Sequence, residues 1–530
     1  MPATTNILYE PLVPVHWAPR AGRPDAALPP KVGLRELLLR SHDIEGLAIA
    51  DAPAHSALLR VLYALTARVT GLDEAKKGPE DWLVRRDDFL EEGELPAAGI
   101  EAYVTAYRDR FFLFDLSADG RPWMQDPRLA QQCDAASTAG VNKLVVTRPS
   151  GNNHAWWSHG LDARPDPLPA PQALLNLLTW HYWGPSGRCS SREVKGEKSA
   201  SATAGPLRSA LSYHPEGATL FETLLAGLVP PERTVDREQD RCPWEWDELP
   251  DPDGPPTAPT GPCSRLTALS MHALLLVPDE EDTSLVRDAY ITWAYRKGRG
   301  ARPGDDYLIW QISKQGNLYP RSADSQRALW RDLDALLLID PPGAAQPRRP
   351  EVFEWALELA LDLRVHALGF EQDGQAKDTQ FVDSVTPPVL ALAERRSART
   401  RPAVGRLRAM GEQFGRRLDR AVRRAWRIYV NDQKDSAEAW AQEGAARYWP
   451  AAEAEFWARF RLLDRTETSL DGGLDAQAAR KAFLGLAIRA YDEVTASASR
   501  TQRGARAVEE ARVELFGDPR PRKPGQSSAA

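Results

Sequence analysis

The 530-residue chain has only four cysteines and lacks the common motifs of catalysis. The cysteines have no Cys-x-x-Cys spacing, which favours a reducing compartment, the cytoplasm, over a disulfide framework or a zinc site. No Gly-x-Ser-x-Gly motif occurs, and Gly196 is followed by Glu197 where a P-loop requires lysine. We therefore expect no enzymatic activity, no cofactor and no bound metal.

Long apolar runs are missing as well. No stretch is long enough to span a bilayer. Residues 1–10 lack a basic region followed by an apolar core, so we expect neither a secretory signal nor a membrane partner.

One dipeptide, His42-Asp43, keeps an enzymatic alternative open. Metal-dependent phosphohydrolases use such a pair together with further His and Asp ligands. The nine histidines show no His-x-x-x-His or His-x-x-Glu grouping around it. A pair on a helix surface is the simpler interpretation, and a divergent phosphohydrolase is the less favoured one.

The composition is that of a globular protein of more than one domain. Charged residues make up 27% and hydrophobic residues 42% of a chain too long for one core. Residues 1–383 mix short β-like runs, helices and proline-rich connections, whereas 384–517 are helical. Residues 518–530, rich in Pro, Lys and Ser, are predicted to be a disordered tail. The predicted class is α+β, with an irregular mixed α/β N-terminal domain before a helical one.

Several N-terminal segments have clear local preferences. Leucine-rich spacing predicts helices at 32–50 and 57–69. Runs of aromatic and β-branched residues predict strands or buried extended segments at 111–114 and 143–146.

Two stretches are predicted to be long loops. Residues 184–205 are rich in Gly, Ser, Lys and Arg, and 242–263 are dense in Pro and Asp. Loops of this length inside a compact domain are functional or disordered. The first begins Gly184-Pro185-Ser186-Gly187-Arg188, and its glycines allow the backbone to approach a ligand closely.

A β-hairpin is predicted near residue 374. The turn at 369–377 lies between apolar runs at 365–368 and 381–382, with Asp373-Gly374 at its tip. Gln372 and Gln375 flank the tip. A hairpin that presents amides beside a basic helical body suits insertion into nucleic acid, but an ordinary surface turn has the same sequence.

The C-terminal region has three apolar stripes at helical spacing, separated by breaks near 431–436 and 472–473. Long amphipathic helices with short connections predict an antiparallel four-helix bundle. The first stripe consists of Leu407, Met410, Phe414, Leu418, Ala421, Ala425 and Ile428.

The helix that carries this stripe is also dense in arginine. Such a ridge can hold phosphates through bidentate contacts. A solvated helix face, or a surface for an acidic partner protein, remains the alternative. The ridge consists of Arg406, Arg408, Arg416, Arg417, Arg420, Arg423, Arg424 and Arg427.

Taken in order, several segments resemble CasA, the large subunit of the type I-E CRISPR Cascade complex. Each motif is short, but their succession spans most of the chain. The similar segments are 6–15, 33–38, 41–44, 47–48, 111–115, 121–125, 205–208 and 220–225.

The resemblance implies a function as well as a fold. The fold is an irregular N-terminal domain joined to a four-helix bundle. The function is non-catalytic: recognition of the short motif beside a target in double-stranded DNA, largely through the minor groove, and help in opening the duplex. The implied partners are crRNA, the target DNA, other Cascade subunits (backbone, small-subunit dimer and 5′-handle-binding subunit) and a helicase–nuclease.

The resemblance also places candidate sites. The family's glycine loop corresponds to Gly184, Pro185, Ser186 and Gly187. Its basic finger lies near Arg296, Lys297 and Arg299, with Lys314 as a competitor. Its glutamine wedge corresponds to Gln375, or secondarily Gln372. The loop that reaches the crRNA 5′ handle corresponds to Asn142, Lys143, Leu144 and Val145.

The chain departs from the family pattern in two of these places. The glycine loop is Gly-Pro-Ser-Gly rather than a run of glycines, and Val145 stands where an aromatic residue can occur. A scaffold protein whose basic bundle docks partner proteins without touching DNA remains the structural alternative.

Overall fold

The computed structural model describes residues 5–19, 28–74, 78–115, 120–150, 163–232, 235–297, 304–337, 348–372, 378–390, 400–463 and 472–517. The chain divides into two compact units. The first contains Met1–Ser325 and Ala344–Leu390, and the second contains Gln326–Gly343 and Ala391–Ala530.

The first unit combines helices with small sheets. Its helices are α1 (Leu34–Leu39), α2 (Ala52–Thr70), α3 (Pro79–Glu92), α4 (Ala97–Tyr107), α5 (Leu129–Gln132), α6 (Val141–Leu144), α7 (Ala170–Trp183), α8 (Leu220–Ala226), α9 (Pro262–Thr267) and α11 (Val352–Ala356). Helix α10 (Leu333–Leu337) belongs to the second unit.

The strands of the first unit are short and mostly antiparallel. They are β1 (Val13–Trp17), β2 (Lys31–Val32), β3 (Ile44–Leu47), β4 (Leu168–Pro169), β5 (Gly187–Val194), β6 (Glu197–Ala202), β7 (Leu211–Glu216), β8 (His272–Pro278), β9 (Leu285–Trp293), β10 (Trp310–Ile312), β11 (Leu318–Pro320), β12 (Arg364–Gln372) and β13 (Asp378–Val385). Three sheets of three strands have the orders β2-β1-β3, β4-β9-β8 and β13-β12-β7, and two hairpins pair β5 with β6 and β10 with β11. This mixture of helices and strands agrees with the predicted α+β class.

Helix α2 forms the centre of the first unit. All of its residues except Thr70 are buried, and it contacts α4, α7, α8, α9 and β12. Its alanine- and leucine-rich sequence favours a helix, and Gly71 ends it in the left-handed region at φ 68°. The helix predicted at 57–69 is confirmed.

The helix predicted at 32–50 is wrong beyond its first turns. Helix α1 ends at Leu39, and Ile44–Leu47 forms strand β3, which pairs with β1. The leucines at 34, 37 and 38 are buried by one short helix. Ile44 and Leu47 are buried in a sheet instead of a helix. Pairing of β3 with β1 therefore outweighs the local preference for a helix that the spacing indicates.

Two further segments differ from the sequence-based expectation. Residues 141–144 form helix α6 rather than a strand, after Gly140 turns the chain at φ 78°. Residues 184–205, predicted to be a loop, contain the β5–β6 hairpin. Its two-residue turn, Lys195 (φ 53°) and Gly196 (φ 80°), matches the left-handed backbone that tight hairpins require.

The second unit is helical. It contains α12 (Thr400–Val430), α13 (Glu438–Phe460), α14 (Ala476–Thr495), α15 (Gln502–Ala511) and α16 (Val513–Phe516). Helix α12 contacts all four of the others, and α13 contacts α14. The first apolar stripe lies inward as predicted: Leu407, Phe414, Leu418, Ala421 and Ala425 are buried.

Residues 326–343 belong to this helical unit, although the sequence placed them in the N-terminal domain. The reason is Trp330, which is fully buried and stacks on Phe456 with ring centroids 4.8 Å apart. Residues 518–530, the predicted disordered tail, lie outside the described residues. None of the helices described here is both long and apolar enough to cross a membrane.

Candidate nucleic-acid interface

The glycine loop joins the buried end of α7 to strand β5. Trp183 ends α7 and is 1% exposed, whereas Ser186, Gly187 and Arg188 are exposed. The loop thus leaves an aromatic core and emerges at the surface within three residues. We call residues 184–188 the glycine loop.

The two glycines of the loop serve different purposes. A Cβ on Gly184 would lie 2.5 Å from the Trp180 carbonyl oxygen and 2.6 Å from the His272 ring, so only glycine fits there. Gly187 has a φ of 129° and open space where a Cβ would be. Gly184 therefore allows packing beneath the loop, whereas Gly187 is the glycine that lets the exposed backbone approach a ligand.

Two carbonyl oxygens of the loop are hydrogen-bonded to the protein beneath it. The Gly205 amide donates to the Gly184 carbonyl at 2.8 Å. The His272 Nε2–H donates to the Pro185 carbonyl at 3.0 Å. Burial lowers the pKa of His272 to about 4, so this imidazole is neutral at physiological pH and carries its proton on Nε2.

Two cationic side chains hold the carbonyls at the ends of the loop. Arg208 Nη1 donates to the Trp183 carbonyl at 3.0 Å, and Lys143 Nζ donates to the Arg188 carbonyl at 2.8 Å. Three loop carbonyls, and the Trp183 carbonyl just before the loop, are thus hydrogen-bonded within the protein. Because these acceptors are already engaged, the loop suits an acceptor-rich partner such as the floor of the DNA minor groove.

The predicted crRNA-contacting residues lie beneath this loop. They form helix α6, where Asn142 and Leu144 are buried and Val145 is half-buried. The Leu144 carbonyl accepts from Trp180 Nε1 at 2.8 Å, in the same aromatic region that supports Gly184. The structure therefore joins two predicted sites that the sequence kept apart.

The predicted basic finger lies at the other end of the β5–β6 hairpin. Arg296 donates to the Val194 and Glu197 carbonyls, and its guanidinium pairs with the Glu197 carboxylate at 2.5 Å. This arginine supports the hairpin turn. Lys297 is 66% exposed, with its Nζ 3.8 Å from Asp253. Arg299 lies outside the described residues, and Lys314 is exposed in the β10–β11 turn.

The predicted hairpin is confirmed as β12 paired with β13. Phe370 packs across it on Phe381, with ring centroids 4.9 Å apart. Gln372 ends β12, and Gln375 lies outside the described residues. Near its distal end, Gly369 passes so close to β7 that a Cβ would lie 2.7 Å from the Ala210 carbonyl. The hairpin is thus anchored along β12 in the body of the first unit.

A buried ionic contact fixes the base of this hairpin. His366 on β12 lies 2.7 Å from Glu216 on β7 and 2.8 Å from Asp383 on β13. The two carboxylates overcome the cost of burial and raise the pKa of His366 to about 9. His55, whose ring meets that of His366 edge-on, is kept neutral because burial lowers its pKa to about 3.

The arginine ridge of α12 is largely occupied within the helical unit. Arg417 donates to the Leu515 and Phe516 carbonyls, both at 3.3 Å. Arg423 pairs with Asp419 at 2.9 Å and Glu438 at 3.0 Å. These contacts hold neighbouring helices together.

Two more ridge residues serve the same purpose. Arg424 pairs with Glu514 at 2.8 Å, and Arg427 donates to the Asp435 carbonyl at 2.9 Å. Arg416 and Arg420 are exposed and form no ion pair with any described carboxylate. Arg406 is exposed and Arg408 half-buried. Only part of the predicted ridge is therefore directed at solvent.

The His42-Asp43 pair lies in a short 3-10 helix. Asp43 is buried and accepts from Arg40, which lies over the Trp17 ring at 4.2 Å. Within the described ranges no group of three or more His, Cys, Asp or Glu side chains could hold a metal ion. The surroundings of the pair are those of a structural contact.

Sequence reasoning missed three residues of this site. Arg188, Arg208 and His272 were given no role, because their importance depends on contacts with segments distant in sequence. One signal was available for the hairpin that carries Arg188: Lys195-Gly196 between alternating residues predicts a two-residue turn.

Comparison with known proteins agrees with the fold. The model of the CRISPR-associated protein Cse1 family matches residues 6–490. CasA/Cse1 of Thermus thermophilus is 26% identical over 340 residues, 63% of this chain and 60% of that protein. The matched region thus spans less than two thirds of that relative.

Two solved structures are more similar in sequence. A chain of a "CRISPR RNA-guided surveillance complex" is 38% identical with a TM-score of 0.83, covering 97% of this chain and 100% of the other. A chain of a "CRISPR RNA-guided surveillance complex, pre-nicking" is 37% identical with a TM-score of 0.76, covering 98% and 100%. On the extent of the family match and these likenesses, the chain belongs to the Cse1 (CasA) family.

Proposed function

We propose that this chain is the large subunit of a crRNA-guided surveillance complex and recognises the motif beside the target in double-stranded DNA through the minor groove. It is non-catalytic. Its partners are crRNA, the target duplex, the backbone, small-subunit and 5′-handle-binding subunits, and a helicase–nuclease that it helps to recruit. It acts in the cytoplasm. The printed names of its relatives support the assembly, since two of them are chains of such complexes.

The observation that carries the recognition role is the glycine loop. The carbonyls of Gly184, Pro185 and Arg188 are hydrogen-bonded within the protein, while Ser186 and Gly187 are exposed. The minor groove presents acceptors on every base pair, so engaging these three carbonyls within the protein lessens repulsion there. Because readout in this groove is degenerate, we expect tolerance of related motifs.

The β12–β13 hairpin is the proposed wedge. A side chain inserted between base steps costs roughly a few kcal/mol of unstacking, so its support must be rigid. The ionic contact at His366 and the close approach at Gly369 supply that support. We assign the wedge to Gln375, with Gln372 second.

The C-terminal region is proposed to be an antiparallel four-helix bundle within 384–517. The contacts of α12 with α13, α14 and α15 support this arrangement. The exposed Arg416 and Arg420 are its candidate surface for DNA or for an acidic partner subunit.

The test is duplex binding by the reconstituted crRNA complex, with and without this subunit, on targets that differ only in the flanking motif. We expect the preference for one motif, of about tenfold or more, to disappear without the subunit. Gly187→Ala should reduce the preference, since alanine is strained at φ 129° and places a methyl on the exposed face. Gly46→Ala, in open space at an ordinary φ, is the matched control.

A second pattern of binding would contradict the recognition role. If removal of the subunit weakens binding equally on every target, and Gly187→Ala behaves as wild type, the chain is a scaffold or a general electrostatic clamp. The recognition role would then be rejected.

A further inference from the structure

Arg188 combines a fixed backbone with an unpaired side chain. Its carbonyl accepts from Lys143 at 2.8 Å, and its strand pairs with β6 opposite Ser201. The guanidinium is exposed and has no hydrogen-bond or ion-pair partner among the described residues. It therefore extends from a well-positioned point at the end of the glycine loop.

A second cation lies beside it. The Lys143 ammonium has three donors and uses one on the Arg188 carbonyl. No described carboxylate lies within ion-pair distance of either side chain. The pKa of Lys143 is lowered, chiefly by burial, and repulsion from Arg188 acts in the same direction.

Two other cationic side chains near the loop, unlike that of Arg188, already have partners in the protein. Arg296 is neutralised by Glu197 and Asp253. Arg208 is turned inward onto the Trp183 carbonyl. Two positive side chains that lie close together without a counter-ion repel each other. An anion bound between them would relieve that repulsion.

The position of the pair indicates which anion. A loop that enters the minor groove is flanked on both sides by the phosphates of the two strands. Arginine binds phosphate through two parallel N–H groups, and lysine adds a point charge. The exposed Gly187 would face the groove, and the next residue, Arg188, would reach the bordering backbone.

We propose that Arg188 and Lys143 form a binding site for one backbone phosphate of the duplex beside the recognised motif. Lys143 then acts in this site rather than in a crRNA contact: it positions Arg188 through the carbonyl and adds charge. The inference rests on the proposed recognition role and specifies how the loop is held in the groove. Phosphate contacts position a protein without reading sequence, so this site supplies affinity and not motif preference.

The experiment measures the salt dependence of duplex binding by the full complex for two motifs. Loss of one phosphate contact reduces the slope of log affinity against log salt by about one. Wild type should therefore lose about threefold more affinity than Arg188→Ala between 50 and 200 mM salt. The ratio of affinities for the two motifs should be unchanged. Arg108→Ala, a removal of charge at a side chain 63% exposed, is the control and should keep the wild-type slope.

Lys143→Met separates the two assignments of this lysine. If Lys143 serves the phosphate site, the variant subunit is retained by the crRNA complex as well as wild type, but duplex binding weakens. Weaker retention in the absence of target would assign Lys143 to the crRNA and overturn this part of the inference.

The remaining outcomes are distinguishable. A wild-type slope in Arg188→Ala overturns the phosphate site, even where Gly187→Ala still lowers the motif preference. A changed motif ratio with an unchanged slope would mean that Arg188 reads bases, which also overturns it. A motif preference that survives removal of the whole subunit rejects the recognition role itself.

Discussion

The two units of this protein use arginine, lysine and histidine in different ways. In the first unit, Lys143, Arg208 and His272 each hold one backbone carbonyl in the glycine loop or directly before it. In the second unit, Arg423 and Arg424 pair with carboxylates of the surrounding helices. The first arrangement positions a surface, whereas the second joins helices. Charge density along a sequence therefore does not measure the charge that a surface presents.

The largest effect is expected at the base of the β12–β13 hairpin, where the His366 cation is buried. The pKa of His366 is raised from 6.5 to about 9, so its contribution is complete below pH 6.5 and is lost as the pH rises through 9. A shift of this size corresponds to about 3 kcal/mol. In urea unfolding between pH 6.5 and 10, this histidine should account for a fall of up to about 3 kcal/mol in the free energy of unfolding of the first unit.

His366→Gln is the variant that tests this assignment. It should be less stable than wild type at pH 6.5, and the difference between the two should close as the pH approaches 10. His55 is already neutral there, and the buried thiols of Cys133, Cys242 and Cys263, whose pKa values are raised, act equally in both proteins. A variant with the wild-type pH dependence would show that another group titrates.

The next effect is expected beneath the glycine loop. Gly184→Ala places a methyl 2.5 Å from the Trp180 carbonyl and against His272, so we expect a loss of about 2 kcal/mol and a displaced loop. Motif preference in the assembled complex should fall together with stability. Thermal unfolding and duplex binding measure the two.

Gly485→Ala provides the comparison for this substitution. Gly485 lies in α14 with nothing near its missing Cβ, and alanine should stabilise that helix by about 1 kcal/mol. Full stability in Gly184→Ala would contradict the supporting role of the residues below the loop.

The smallest effects separate the two kinds of arginine on α12. Arg423→Ala removes contacts with Asp419 and Glu438, and should destabilise the helical unit by about 1 kcal/mol. Arg416→Ala and Arg420→Ala should change stability by less than about 0.5 kcal/mol, since these side chains are exposed.

Duplex affinity should respond in the reverse order. If α12 meets DNA, the Arg416 and Arg420 variants reduce the salt slope by about one each, while Arg423→Ala leaves it unchanged. Equal slopes for all three would favour the scaffold interpretation of this helix.

Much of the architecture was predictable because it depends on local sequence. The apolar spacing around Phe414 predicted α12, and the Asp373-Gly374 turn predicted the pairing of β12 with β13. The helix at 57–69 followed from its alanine and leucine content. These patterns work because periodicity and turn chemistry act over a few neighbouring residues.

The candidate site was predictable only in outline. The order of short motifs located the glycine loop, but it could not show that Lys143 and Arg188, 45 residues apart, meet there. Likewise the arginine count of α12 could not show that Arg417 caps the carbonyls of α16. Such contacts depend on where distant segments pack.

By itself, the sequence determined the family, the mixed class and the positions of the main helices and of one hairpin, because these follow from short-range spacing and motif order. Tertiary structure alone decided which glycine packs and which is exposed, and which cations are neutralised. Hydrogen bonds and ion pairs form across a few ångströms of space, and the sequence separation of their partners says nothing about that distance.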